Sequence, residues 1–241
     1  LAALKGSIPI VDLLIQKYHV NMVHTNGEQM VLTIACRENR VELVEHLVKT
    51  YGCNIHVNHE KHLRNACLYG YHDLVHFLLS LDVDVHAYHD AAIQNAAYKG
   101  FSSIVKMLLD AGAYADANQN ACIQYAITNN DLETVQHLIQ AGVHPRSDND
   151  WPLRHACRRG LDAIVLYLLD CIGEHGPNVQ EGMPLEEALM HGHVSIVRIL
   201  LDRGANPNSR KAIRGLRYIV NPKSKTLNKD TMISMLTNAG L

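Results

Sequence analysis

One alanine returns along this chain at nearly constant distance: Ala2, Ala35, Ala66, Ala96, Ala126, Ala156 and Ala188, at intervals of 33, 31, 30, 30, 30 and 32 residues. A period of that size restricts the fold more than composition does, because one supersecondary unit is being repeated and stacked. Each alanine carries a fixed neighbourhood. Four residues on stands Gly6, Asn39, Gly70, Gly100, Asn130, Gly160 or Gly192, types that tolerate the left-handed backbone ending a helix. Nine residues on stands a valine every time (Val11, Val44, Val75, Val105, Val135, Val165, Val197), and twelve and thirteen on come apolar pairs, from Leu14-Ile15 to Leu200-Leu201.

With the Ile or Leu that usually precedes the valine, these positions fall at i, i+1, i+4 and i+5, one stripe on a helix of about ten residues. Three residues before the alanine, Leu32, Leu63, Ile93, Ile123, Leu153 or Leu185 shares its face and predicts an earlier helix. Between helix pairs lie polar connectors such as "DVHAYHD" and "AYADANQN", too short for another helix and suited to projecting turns. A helix–turn–helix unit of this size cannot bury its own apolar faces, so its neighbours must cover them. The pattern predicts an all-α solenoid of stacked helix–turn–helix units with short connecting fingers. Aromatic content of 5%, with one Trp and two Phe, leaves Leu, Ile, Val and Ala to build that core.

The segments "WPLRHACRRG" (151–160) and "MPLEEALMHGH" (183–193) resemble the Thr-Pro-Leu-His helix start of the ankyrin repeat, and "IVRILLDRGANPN" (196–208) is similar to its second helix and exit turn. The resemblance covers essentially the whole chain. It implies a single array over 1–241: a partial repeat 1–22, then 23–54, 55–84, 85–115, 116–145, 146–179, 180–207 and a divergent C-terminal capping repeat 208–241. In that last unit "NPKSKTLNK" separates the two helices, and Met232, Ile233 and Leu236 form the stripe of the second.

Three departures stand out. The family's usual period is 33, and the residues missing here fall in the turn, so the fingers are expected to be short. The place of the family's motif His is held by Thr33, Arg64, Gln94, Gln124, Arg154 and Glu186, and the motif Thr is absent, so the usual side-chain network fixing the turn cannot form. Asp90, Asn120 and Asp150 are expected to cap the helices instead. The shortened form, clearest in "NDWPLRHA" (149–156), resembles the arrays of giant DNA viruses of amoebae.

Catalytic motifs are missing. No Gly-rich phosphate loop, nucleophile elbow or Cys-x-x-Cys occurs, and no catalytic residue, cofactor or metal ligand is assigned. Cys53, His56, His59 and His62 recur every three residues, a spacing with the look of zinc ligands. His59-Glu60-Lys61-His62 fails the zinc-protease pattern, which needs its two histidines four apart on a helix. The repeat explains the register better, because His86 and His89 stand in the next unit where His56 and His59 stand. A local site of Cys53, His56 and His59 is the alternative. His72 and His76 share a helix face at ligand spacing but make a weak site, and His193 reads as structural. Cys36, Cys67 and Cys157 each follow an anchoring alanine and read as small core residues.

Six cysteines without regular pairing fit a reducing compartment, and the apolar runs are far too short to span a bilayer, so an intracellular, cytoplasmic location is expected. Formal charge is −2 but uneven, since residues 203–241 hold eight Lys/Arg against Asp230 alone. That end reads as a solvated cap, with nucleic acid or an acidic protein as the lesser alternative.

The resemblance implies a non-enzymatic protein–protein interaction module that binds in the concave groove formed by the fingers and the first helices. The matching positions lie two and three residues after each alanine and on the fingers, and the partner-binding candidates are Arg37, His59, Tyr69, His89, Asp90, Tyr98, Lys99, Trp151, Arg158, Arg159 and His191. Tyr, Trp and Arg offer large contact area and directional hydrogen bonds. An alternative role is the substrate-recruiting arm of a ubiquitin ligase acting on host proteins, for which no F-box-like segment is recognisable.

Overall fold

The computed structural model describes residues 1–17 and 29–241, so the expected boundary at 22/23 lies outside the described residues. The residue four after each alanine is left-handed: Gly6, Gly70, Gly100, Gly160 and Gly192 have φ of 71–77°, and Asn39 and Asn130 have 54° and 56°. Each first helix stops there and a second follows at once. The pairs are α1 (Ala2–Lys5) with α2 (Ile8–Gln16), α3 (Met30–Arg37) with α4 (Val41–Tyr51), α5 (Lys61–Tyr69) with α6 (His72–Leu79), and α7 (Ala87–Lys99) with α8 (Ser102–Asp110). Next come α9 (Ala117–Asn129) with α10 (Leu132–Gln140), α11 (Ser147–Arg159) with α12 (Asp162–Ile172), α13 (Val179–His191) with α14 (Val194–Asp202), and α15 (Arg210–Val220) with α16 (Lys229–Asn238). Contacts divide the chain into two compact units, Leu1–Tyr125 and Ala126–Leu241.

The core is the predicted stripe. In the first unit Leu74, Val75 and Leu78 of α6 and Val105 and Leu108 of α8 are fully buried, as are Ile164, Val165 and Leu168 of α12 and Val197 and Leu200 of α14 in the second. The anchoring alanines from Ala35 to Ala188 are no more than 1% exposed, because a methyl group is all the space between adjacent first helices admits. Met232 and Leu236 close the stripe on α16 with no exposed surface, and Ile233 is half-buried.

A second device joins units within each half. The residue five after the alanine reaches back to the end of the preceding first helix. Arg40 Nε donates to the Leu4 carbonyl at 2.9 Å, the Tyr71 hydroxyl to the Arg37 carbonyl at 3.0 Å, and His193 Nε2 lies 2.9 Å from the Arg158 carbonyl. These bonds cover carbonyls that a helix end leaves without intrahelical partners. Phe101 holds the same place over Gly70, and His193 lies so close over Gly160 that a Cβ there would sit 2.7 Å from Nδ1.

The fingers differ from expectation. Five triplets of consecutive residues are left-handed, Asn58–Glu60 just before α5 and Tyr88–Asp90, Asn118–Asn120, Asp148–Asp150 and Gln180–Gly182 near the starts of α7, α9, α11 and α13, which they kink, with φ of 49–62° at every residue but Gly182. Asp90, Asn120 and Asp150 therefore do not cap. An N-cap needs an extended backbone, and these residues close a left-handed turn, their amides bonded to the carbonyls of His86, Asp116 and Arg146. The carboxylates turn the other way. His86 Nδ1 is 2.7 Å from Asp90 Oδ1, Arg146 Nε donates to Asp150 Oδ1 at 2.6 Å, and His56 Nδ1 is 2.7 Å from Glu60 Oε1. The side-chain cap appears at Asp131, which accepts from the Thr134 amide at 3.0 Å and its hydroxyl at 2.6 Å at the start of α10.

The turn does have a side-chain network, built differently. Where the motif His is absent, Arg64 Nε, Gln94 Nε2, Gln124 Nε2 and Arg154 Nη1 donate to the tip carbonyls of His59, His89, Gln119 and Asn149 at 2.8, 2.5, 3.5 and 3.1 Å. The left-handed conformation costs about 1–2 kcal/mol per residue. Repeated hydrogen bonds to the tip offset that cost and hold the finger in one shape.

The reach-back contact is testable at Gly160. Gly52 is also left-handed but has open space at its Cβ position. Gly52→Ala is expected to lose about 1 kcal/mol of stability and Gly160→Ala about 2–3 kcal/mol. In a His193→Ala background the difference between the two should disappear in chemical denaturation.

Candidate functional site

In the unit Leu1–Tyr125 the candidate side chains stand out from the first helices, several backed by an aromatic neighbour. Tyr69 is 57% exposed and stacks on Tyr71 with ring centroids 5.8 Å apart, and Tyr98 is 55% exposed, edge-on to Tyr125 at 5.3 Å. Lys99 Nζ lies 5.2 Å from the Tyr98 ring centroid, a cation–π contact. Arg37 is exposed and paired with Glu38 at 3.0 Å.

On the fingers His59 and His89 flank Tyr88, with ring centroids 6.1 and 6.2 Å from it, and the Arg64 guanidinium lies 4.6 Å over the same ring. Asp90 is occupied by His86 at the base of the turn and is mostly buried, so it braces the finger. Tyr88 and Tyr125 are missing from the sequence-derived candidates. The first stands in the finger one residue before the candidate His89, and the second immediately before an anchoring alanine, places from which no candidate was taken.

In the unit Ala126–Leu241 the inner face is different. Trp151 lies flat on His155, centroids 4.4 Å apart and planes 11° from parallel. Arg158 makes a two-pronged pair with Glu187, both contacts 2.9 Å, and Arg159 Nη1 donates to the Thr128 carbonyl at 2.8 Å. His191 Nδ1 is 3.0 Å from the Glu187 carbonyl. Glu186, in the motif-His place, cannot donate to its finger tip. It is buried and takes both prongs of Arg214 from α15, with Arg214 Nη2 at 2.8 Å from Glu186 Oε2. The carboxylates raise the pKa of both arginines. Glu187 and His155, positions just before an anchoring alanine, were invisible to the spacing argument too.

The cysteine–histidine register does not converge. Cys53 is buried, His56 is held by Glu60, His59 faces Tyr88 and His62 is buried in α5. Among the described residues no three His, Cys, Asp or Glu side chains are grouped to hold a metal ion. His72 and His76 are both exposed on α6, and His72 lies 3.6 Å from Asp73. All six cysteines are free thiols and five are buried. Burial pushes Cys36 and Cys122 up to about 12 and raises Cys67 and Cys157 as well, so they stay protonated. No helix among the described residues is long and apolar enough to cross a membrane.

His155 gives this face a pH dependence. Burial, then the charges of Arg159 and Arg158, lower its pKa. The unfolded chain therefore binds a proton first as pH falls below about 6.5, and stability drops from there until the folded-state pKa is passed. His155→Gln should lose less stability than the wild type between about pH 7 and 5, with the two converging in slope above pH 7. Parallel urea titrations across that range check it.

A model of ankyrin repeats, three copies, matches residues 1–89 and 123–211. No curated protein matches in sequence. Among solved structures, the ankyrin repeat domain of human ASB11 is similar at 23% identity and a TM-score of 0.67, covering 84% of this chain and 96% of that one. The ankyrin repeat domain of Bcl-3, described as a unique member of the IkappaB protein family, has 22% identity and a TM-score of 0.62 over 77% and 91%. An ankyrin repeat domain from Acinetobacter baumannii AYE has 23% identity and a TM-score of 0.59 over 70% and 95%. At such identities the likeness is one of fold. With the repeat matched over most of its length, the chain belongs to the ankyrin repeat family.

Proposed function

We propose that this chain is a non-enzymatic scaffold that binds a partner protein along the inner side of its array, through the first helices and the fingers. Ankyrin repeats are protein–protein interaction modules, and stacked repeats offer an extended rigid surface. One observation carries the proposal for this chain. Large side chains of the types enriched at binding hot spots, Tyr69 and Tyr98, stand more than half exposed on successive first helices and are held from one side by Tyr71 and Tyr125. A side chain already ordered loses less freedom on binding.

The candidate set Arg37, His59, Tyr69, His89, Tyr98, Lys99, Trp151, Arg158, Arg159 and His191 belongs to this proposal, and Asp90 enters it as the brace of its finger. The short period extends the reading to a source among giant DNA viruses of amoebae, with a host protein in the cytoplasm as target.

Affinity capture from the source cell with mass spectrometry tests the proposal, comparing wild type with Tyr69→Ala/Tyr98→Ala. Both residues are surface-exposed, so the double variant should melt within a few degrees of wild type and lose at least about 2 kcal/mol of binding, some thirtyfold in affinity. Unchanged capture by a folded double variant would remove the groove assignment.

A further inference from the structure

The three inner helices of the unit Ala126–Leu241 have a charge balance unlike the rest of the chain. Residues 151–159, 183–191 and 210–220 contain seven Arg/Lys and only two carboxylates, Glu186 and Glu187, in a chain whose formal charge is −2. Both carboxylates are buried beneath the arginines that hold them, with side-chain exposures of 2% and 10% against 63% for Arg214 and 51% for Arg158. The anion faces the core and the cation faces out. Arg159 and Arg217 are exposed as well, and Arg210 is 83% exposed. The exposed carboxylates Asp148 and Glu181 belong to the finger turns, and Glu181 lies 3.5 Å from Arg210.

Trp151, His155, Arg158 and Arg159 follow at i, i+4, i+7 and i+8 on α11, so they share one face of that helix. Burial, then the charges of Arg159 and Arg158, disfavour protonation of His155 against the opposing charge of Glu187. The indole at the N-terminal end of this face is the chain's single Trp.

We infer that this inner face docks an acidic protein segment, whose carboxylates take the outer edges of Arg158, Arg159, Arg210 and Arg214 and whose chain passes over Trp151. The inference rests on the groove reading and names the partner's chemistry. Charge complementarity selects the occupant: guanidinium forks match carboxylates two-pronged, and the forks here are fixed by Glu187 and Glu186 before the partner arrives. A short acidic segment fits better than nucleic acid, because one flat side of Trp151, the single large aromatic on the α11 face, is already covered by His155 and is closed to base stacking.

Trp151 reports the event without a label. Full-length protein is titrated with a peptide of alternating Glu and Gly, a Lys-Gly peptide of the same length, and oligo-deoxythymidine, while indole emission is followed. The Glu peptide should give a saturable change that weakens about tenfold between low salt and about 0.3 M. The Lys peptide should give none. Arg159→Glu/Arg210→Glu should abolish the response, and Lys106→Glu, on the outer helix α8, should leave it intact. Arg158 and Arg214 are left in place, because their removal strands a buried carboxylate.

A flat titration, an equal response to the Lys peptide, or a response that survives the charge reversal would overturn the inference. Tighter binding of oligo-deoxythymidine than of the Glu peptide would overturn it in favour of nucleic acid. A partner captured by wild type, lost from Tyr69→Ala/Tyr98→Ala and kept by Arg159→Glu/Arg210→Glu would overturn the acidic segment and leave the groove reading standing.

Discussion

An apolar stripe that no single unit can cover governs this molecule. Each helix pair exposes a row such as Leu74, Val75 and Leu78 on one side, and only the next pair can bury it completely. Burial of that kind demands close approach of the first helices, which is why the position between them is alanine and almost without exposed surface. It demands a fixed rotation too. Arg40, Tyr71 and His193 supply it by bonding to the carbonyl that ends the preceding first helix, so a group left over from helix termination becomes the attachment point of the next unit. The glycines four after the alanine serve both purposes at once. Gly160 turns the chain left-handed and leaves room for the His193 ring.

The same economy shapes the fingers. With about three residues fewer than the family's usual unit, the chain crosses from one pair to the next through a single left-handed turn. Its backbone is costly for residues such as Tyr88 and His89. Two side chains hold three of the five turns from opposite sides: a carboxylate at the turn's end, Glu60, Asp90 or Asp150, paired with a His or Arg four residues earlier, and an Arg or Gln from the first helix on the tip carbonyl. The Arg or Gln fills the motif-His position, so the change of residue and the change of turn are one adaptation.

Period, helix ends and core were legible in the sequence because each follows from residue type at a fixed offset: left-handed Gly or Asn, Val in the stripe, Ala at the contact. The finger was not legible. A carboxylate before an apolar run reads the same whether it caps a helix or closes a left-handed turn, and only the backbone's hand separates Asp90 and Asp150 from Asp131. The cysteine–histidine register misled for a related reason: spacing of three converges ligands on a helix or in a simple loop, whereas here the left-handed turn sends His56 to Glu60 and His59 to Tyr88. Among surface residues, Tyr69, Tyr98, Arg158 and Arg159 were found because they lie two or three after an alanine. Tyr125, His155 and Glu187 were missed because their place, just before the alanine, is partly or fully buried in other units, and Tyr88 because its place in the turn is held by a small or polar residue, Asn58, Asn118, Asp148 or Gln180, in the other turns.

Glu186 shows how a local exception carries outward. A carboxylate in the motif-His place can only accept, so its donor has to come from elsewhere, and the following helix provides Arg214. Burying Glu186 without that arginine would strand a charge in the core, which makes the pair a condition for the last unit to dock. Geometry then fixes the orientation: with the carboxylate inside, the guanidinium lies across the opening, and the neighbouring Arg158–Glu187 pair repeats the arrangement one helix back. Two acidic residues that lower the formal charge therefore leave the inner surface cationic. The charge a partner meets on this array is set by which member of each pair is buried, and a count of Glu against Arg along the sequence does not contain it.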